Sequence, residues 1–228
     1  MEKNKLSYID NIPSKIDLVV EENERLHVEM ASFYKLGEIQ LNVDVKKNGS
    51  VEIGFADFSN ESGTVRAKIN LLEEGAKAMW NLASLAKNCE VKEFIPSVYH
   101  HAPHTTAFVK NYGISRDTSS LFFLGESSIF HGSVKSKTRQ EAKIIVFDPK
   151  CKGKASPVLK ISENDVEAGH GAAVGRLNEN HLFYLMSRGL SREEAKRLIT
   201  LGYLKPIENC FDNETVRLKI DQAIEGGI

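Results

Sequence analysis

From about residue 15 to residue 168 the sequence alternates apolar and polar residues with a period of two. Leu26, Val28 and Met30 alternate with His27 and Glu29, and Ile39, Leu41, Val43 and Val45 alternate with Gln40, Asn42 and Asp44. Val51, Ile53 and Phe55 follow the turn Asn48-Gly49-Ser50, and Val65, Ala67, Ile69 and Leu71 follow Asn60-Glu61-Ser62-Gly63. Shorter runs at 120–125, 142–148 and 157–161 are bounded by Gly, Pro, Asp or Ser. Successive strand side chains point to opposite faces, so these runs predict short strands with one buried face. The run around Trp80, Leu82 and Leu85 fits a helix or a strand equally well. Many short strands without helices between them mean an all-β sandwich, barrel or solenoid. No sequence repeat selects among the three, and the glycines at 37, 49, 63 and 75 suit hairpins as well as coils.

After Gly175 the pattern changes. Asn178 can cap a helix carrying Leu182, Phe183, Leu185 and Met186, with Gly189 past its end. Ser191 and Glu194 form a capping-box pattern that opens a second helix, ended by Gly202 and Pro206. Asp212 is placed to cap a third. The division is therefore a β domain over 1–175 and a helical region over 176–228.

Charge excludes some functions. The 228 residues carry a formal net charge of -1, which gives no overall attraction to nucleic acid or anionic membrane. The segment 135–160 is a local exception. It holds eight Lys/Arg against Glu141 and Asp148, and reads either as solvated strand ends or as a surface for an acidic partner. No apolar run reaches the roughly 18 residues that span a bilayer, and the opening residues have no apolar core of a secretory signal. Cys89, Cys151 and Cys210 are odd in number and far apart, which argues against a disulfide framework or a Cys-only metal site. A cytosolic location is expected.

Histidine is the common metal ligand and general base. His100, His101 and His104 fall in the segment 99–106 and form a candidate metal cluster, the basis of an alternative reading as a β-fold metalloenzyme. Against it, no carboxylate stands at a telling spacing, and neighbours in a strand point to opposite faces. His170 lies between two glycines where the pattern changes, at an exposed corner by its small neighbours. No nucleophile elbow, phosphate-binding loop or zincin motif is present.

The C-terminal third carries a denser signal. His170-Gly171-Ala172, Val174-Gly175, Leu177, Phe183-Tyr184-Leu185, Ser187-Arg188-Gly189, Glu194-Ala195 and Gly202 closely resemble the signature of the SufB/SufD family, components of the SUF machinery for iron–sulfur cluster assembly. Upstream, 100–114, 119–130, 140–148 and 155–161 resemble it more weakly and in the same order. The resemblance implies a mainly β fold, a right-handed parallel β-helix with a C-terminal α-helical region. It implies a non-enzymatic scaffold subunit that pairs with a SufB-like subunit or with itself and docks a SufC-type ABC ATPase. His170 becomes the candidate ligand for iron or a nascent Fe–S cluster, held transiently at a subunit interface.

Two departures make the chain SufD-like. Glycine follows His170, where SufB-type relatives tend to have glutamate, and Glu141 stands at about the place of their scaffold cysteine. Cys151, flanked by Lys150, Lys152 and Lys154, is a candidate substitute thiolate or an incidental exposed cysteine. Family members also carry a further N-terminal region. The ATPase is expected at the helical region, through Phe183, Tyr184, Arg188 and Gly189, although a residue like Phe183 is more often core and Arg188 could bond its own helix end. No nucleotide is expected on this chain.

Overall fold

The computed structural model describes residues 4–226. The chain alternates between two parallel sheets, laying one strand in each per coil. The first sheet has seven strands in the order β1 (Asn4–Ile9), β3 (Arg25–Ser32), β5 (Ser50–Asp57), β7 (Lys77–Ala86), β9 (Thr106–Ser115), β12 (Lys137–Val146) and β15 (Glu167–Arg176). The second runs β2 (Lys15–Val20), β4 (Gly37–Val45), β6 (Gly63–Leu71) and β8 (Val91–His100). It then divides, one half ending in β10 (Ser120–Phe123) and β13 (Lys152–Ala155), the other in β11 (Glu126–Ile129) and β14 (Val158–Ile161). The result is a β-solenoid of about six turns.

The two apolar faces meet inside and stack in columns. One column runs Leu6, Val28, Ile53, Trp80, Val109 and Gln140 to His170. Phe55, Trp80, Phe94 and Phe123 fill the middle of the lumen edge-to-face, with ring centroids 5.9–6.2 Å apart, a geometry that suits aromatic quadrupoles.

Corners repeat although the sequence does not. Asn23, Asn48, Gly75, His104 and Lys135 each have φ between 53 and 75° and each stand two residues before a strand of the first sheet. Left-handed backbone at this position of each coil turns the chain into the next strand of the first sheet. The division of the second sheet also has a local cause. Pro96 sits in β8 opposite the gap between β10 and β11, where its missing N–H removes no ladder bond.

Beyond β15 come α1 (Glu179–Ser187), α2 (Arg192–Leu204), a 3-10 segment (Lys205–Cys210) and α3 (Glu214–Gly226). The Asn178 side chain caps α1, and Ser191 with Glu194 forms the reciprocal capping box of α2. Two expectations are corrected. Gly202 lies inside α2, which ends only at the Lys205-Pro206 step. Asn213, not Asp212, accepts at the start of α3, from Thr215 N–H at 2.8 Å, because Asp212 is engaged with Lys5 at 3.2 Å.

These helices lie on the outer face of the first sheet. The small row Ala31, Ala56, Ala83 lets Leu204, Ile207, Phe211 and Ile220 close on the strands. Burial on both faces explains why the apolar pattern of β7 was ambiguous between helix and strand. Gly54 is the tightest contact there: a Cβ would lie 2.4 Å from Cys210 Cβ. Gly54→Val should therefore push the 3-10 segment off the sheet and cost about 1–3 kcal/mol, read as a lower urea midpoint. An unchanged midpoint would contradict this packing.

Candidate functional site

β15 is the last strand of the first sheet and, among the described residues, pairs only with β12, from Glu167 opposite Lys137 to Arg176 opposite Val146. Its other edge carries backbone N–H and C=O groups without a partner strand, an open template for pairing. The expectation of a non-strand corner at His170 is thus corrected. The run is a full strand, and its small side chains mark an uncovered strand. Gly169, Gly171, Ala173 and Gly175 point outward, while Ala168, His170, Ala172 and Val174 continue the inward columns.

His170 caps its column, and with no coil beyond it the imidazole is exposed. No hydrogen bond or ion pair to it is seen among the described residues. Val158, Ile161 and Val174, each 40–44% exposed, give the open end of the solenoid an apolar rim. Directly below His170 in the column is Gln140, only 1% exposed. Its Nε2 donates to Val158 O at 2.9 Å. Its Oε1 is buried without a hydrogen-bond partner among the described residues and lies 2.5 Å from where a Cβ on Gly125 would stand. Sequence reasoning passed over Gln140. The signal was present, since Gln140 breaks the apolar inward alternation of β12 alongside Thr138.

Glu141, one residue on, faces outward. Lys143 at 2.9 Å and the Tyr112 hydroxyl at 2.8 Å hold its carboxyl below the usual carboxylate range. It therefore stands on the other side of the sheet from His170. Cys151 is not an exposed turn thiol either. It is 7% exposed, and its Sγ donates to Ser115 O at 3.1 Å and Asp148 O at 3.0 Å. The lysines around it are exposed, but the sulfur itself faces inward.

The three clustered histidines do not converge. His100 is fully buried, its Nδ1 2.7 Å from Thr105 Oγ1 and its Nε2 without a partner among the described residues, and burial pushes its pKa down to about 4. His101 is exposed and stacks on Phe130 at 4.8 Å. His104 holds a corner with φ 57° and faces Glu74 at 4.0 Å. A common metal site built from them is corrected by this geometry. Among the described residues, the group whose ligand atoms lie within 4.8 Å of one another is His27, Glu29 and Asp212. There the Lys5 ammonium already occupies a cation's place, 2.7 Å from Glu29 and 3.2 Å from Asp212. His27 Nε2 lies 2.9 Å from Cys210 O. This cluster clasps the C-terminal segment onto β1 and β3.

On α1, Leu182 is fully buried, whereas Phe183 and Tyr184 are 73% and 56% exposed. Phe183 is therefore not core. Arg188 places its guanidinium 5.3 Å over the Tyr184 ring, and Gly189 has φ 98° past the helix end. Leu182 and the neighbouring Leu185 seat α1, so one face of the helix leaves an aromatic pair and a cation in solvent.

No helix is long and apolar enough to cross a membrane among the described residues. A family model described as "SUF system FeS cluster assembly, SufBD core domain" matches residues 18–203. The iron-sulfur cluster assembly protein SufD of Bacillus subtilis (strain 168) is 33% identical over 156 residues, covering 68% of this chain and 36% of that protein. An iron-sulfur cluster assembly SufBD family protein of Staphylococcus epidermidis is 25% identical over 181 residues, 79% of this chain and 37% of that one. A SufBD family protein of Staphylococcus aureus (strain USA300) shows the same identity and coverage. The chain thus spans a little over a third of the length of these relatives.

Proposed function

The chain belongs to the SufBD family of the SUF iron–sulfur cluster assembly system, and on that premise we propose that it is a non-catalytic assembly subunit working in the cytosol. Iron or a nascent cluster is its cargo, held through His170 at an interface with a SufB-like subunit or a second copy of itself. The observation that supports this most is the open end of the solenoid. An inward-facing imidazole lies exposed beside ten residues of unpaired strand edge, and a partner strand added there would enclose it. Neutral imidazole is a suitable ligand for iron. Thiolates come from the partner, since Cys151 and Cys210 are buried and Cys89 lies in the turn before β8.

Energy enters through a separate SufC-type ATPase docked on α1. Phe183 and Tyr184 supply the apolar contact there, and Arg188 and Gly189 shape its end. Aromatic and arginine side chains of this kind carry most of the affinity at protein interfaces.

Co-expression with the SufB-like subunit and the SufC-type ATPase of the same organism tests both contacts. Phe183→Ser with Tyr184→Ser should release the ATPase and keep the SufB-like subunit. Val174→Glu should release the SufB-like subunit, or dissociate a homodimer, and keep the ATPase. Retention of both partners by both variants would refute the assignment of the two surfaces.

A further inference from the structure

We propose that the outer face of the seven-stranded sheet, beside the 3-10 segment, is a docking site for an acidic protein segment carrying a bulky apolar side chain. The site goes beyond the assembly reading, because it uses neither the free edge of β15 nor the exposed face of α1.

Both faces of a parallel sheet are normally covered. Here the C-terminal helices cover only the end of the outer face nearest the strand C-termini. Where that cover stops, a cleft of about 430 Å³ opens between the sheet and the 3-10 segment. Met79 and Asn81, outward-facing on β7, form its floor, and Pro206 and Ile207 its far wall. That volume falls in the range of ligand pockets and has room for one or two apolar side chains. Phe108, the register partner of Met79 on the next strand, is 36% exposed and extends the apolar surface outside it.

Cations flank one side. Lys110 lines the cleft, Arg139 is the register partner of Phe108, and Lys77 lies two residues before Met79. All three are exposed. Neither Lys77 nor Arg139 makes an ion pair among the described residues. The nearby carboxylate of Glu141 is already held by Lys143 and Tyr112. Glu52 lines the opposite side of the cleft, where its Oε2 lies 3.5 Å from His27 Nδ1. Glu52 on β5 thus stands on one side of the cleft, and Lys77, Lys110 and Arg139 stand on β7, β9 and β12. Without an ion pair among the described residues, Arg139 differs in this from four other cations of segment 135–160. Lys135, Lys137, Lys143 and Lys160 are paired with Asp165, Glu167, Glu141 and Glu126.

An apolar cleft with unpaired cations on one rim matches a peptide that buries an anchor and lays carboxylates beside it. Buried anchors supply most of the affinity and rim charges the orientation. A polyanion such as nucleic acid, or an anionic bilayer, would use the cations and leave the cleft empty.

Fluorescence anisotropy on the full chain tests this with a labelled peptide of Glu and Asp around a central Leu-Phe pair. Its companions are the same peptide with Ser-Ser at the centre, an oligothymidylate, and phosphatidylserine vesicles. The proposal expects saturable binding of the Leu-Phe probe. Binding should weaken about tenfold or more for Ser-Ser, for Lys110→Glu with Arg139→Glu, and for the cleft-filling Asn81→Phe. The charge reversals lie on exposed side chains, and matching thermal midpoints confirm that each variant is folded. If Asn81→Phe unfolds, Lys77→Glu replaces it. Equal binding of the Ser-Ser peptide, tighter binding of oligothymidylate or vesicles through the same lysines, or no saturation by millimolar probe would overturn it.

Discussion

Replacing Lys92 with methionine should destabilise the solenoid by about 3–5 kcal/mol, the usual cost of stranding a buried charge. Lys92 projects inward from β8 and is fully buried. Its Nζ lies 3.0 Å from Asp57 Oδ2 and 3.5 Å from Glu90 Oε2. It also donates to Ser59 O at 2.8 Å and Leu85 O at 2.9 Å. Asp57 accepts in addition from the hydroxyls of Ser59 and Ser84. The ammonium thus joins two carboxylates and two carbonyls contributed by successive coils. Methionine keeps most of the aliphatic volume, so the loss isolates the charge. Burial already pushes the Glu90 carboxyl up, and Lys92 is the main group opposing that. Urea unfolding checks the prediction. Adding Asp57→Asn to Lys92→Met should recover part of the loss, because the stranded carboxylate is then neutral. A loss under about 1 kcal/mol, within the range of a surface pair, would mean that the network does not hold the corner.

The second large effect concerns pH. Burial holds His100 neutral, with a pKa of about 4 against 6.5 for free imidazole. Between these values the unfolded chain binds a proton that the folded chain refuses. The stability tied to the neutral ring is complete above the unfolded value and is lost as pH falls through the folded one. A gap of this size corresponds to ~3 kcal/mol. Glu208 acts in the opposite sense. Burial raises its carboxyl to about 7, so its contribution is present at low pH and fades as pH rises through that value. Comparing the parent with His100→Leu removes this background. The parent should lose ~3 kcal/mol more than the variant between pH 7 and 4. Parallel stability curves would show that His100 is not the titrating group.

The period-two pattern made the strands legible, because each coil must bury one face and Leu41, Ile53 and Ile69 do so without ambiguity. The solenoid was not legible from the residues. Its repeat lies in a backbone conformation, and Asn23, Asn48, Gly75, His104 and Lys135 satisfy it with four residue types. The spacing drifts as well, from 25 residues between Asn23 and Asn48 to 31 between His104 and Lys135. Only the resemblance to a known family, dense over 167–204 and weaker upstream, selected the β-helix. His104, read as a possible ligand, is one of these corner residues.

Of the candidate site, His170 was legible as a candidate and its setting was not. Glycine and alanine suggested a corner, because the outer face of β15 carries no bulk and its inner face has no further coil to cover. Gln140 escaped notice because its role depends on register between strands thirty residues apart in sequence. Phe183 was legible as apolar, but only the packing of Leu182 shows which side of α1 faces the protein. Cys151 drew attention through its lysine neighbours, whereas the turn folds the sulfur inward onto Ser115 O.

Anaerobic loading of the purified multi-subunit complex with iron and sulfide, followed by metal analysis of parent and His170→Ala, tests the central claim most directly. With the complex intact in both, the variant should retain about a tenth or less of the parent's iron, as expected when a metal ligand is removed. Equal iron and sulfide in an intact His170→Ala complex would contradict the account, and would leave the open end of the solenoid as a pairing surface alone.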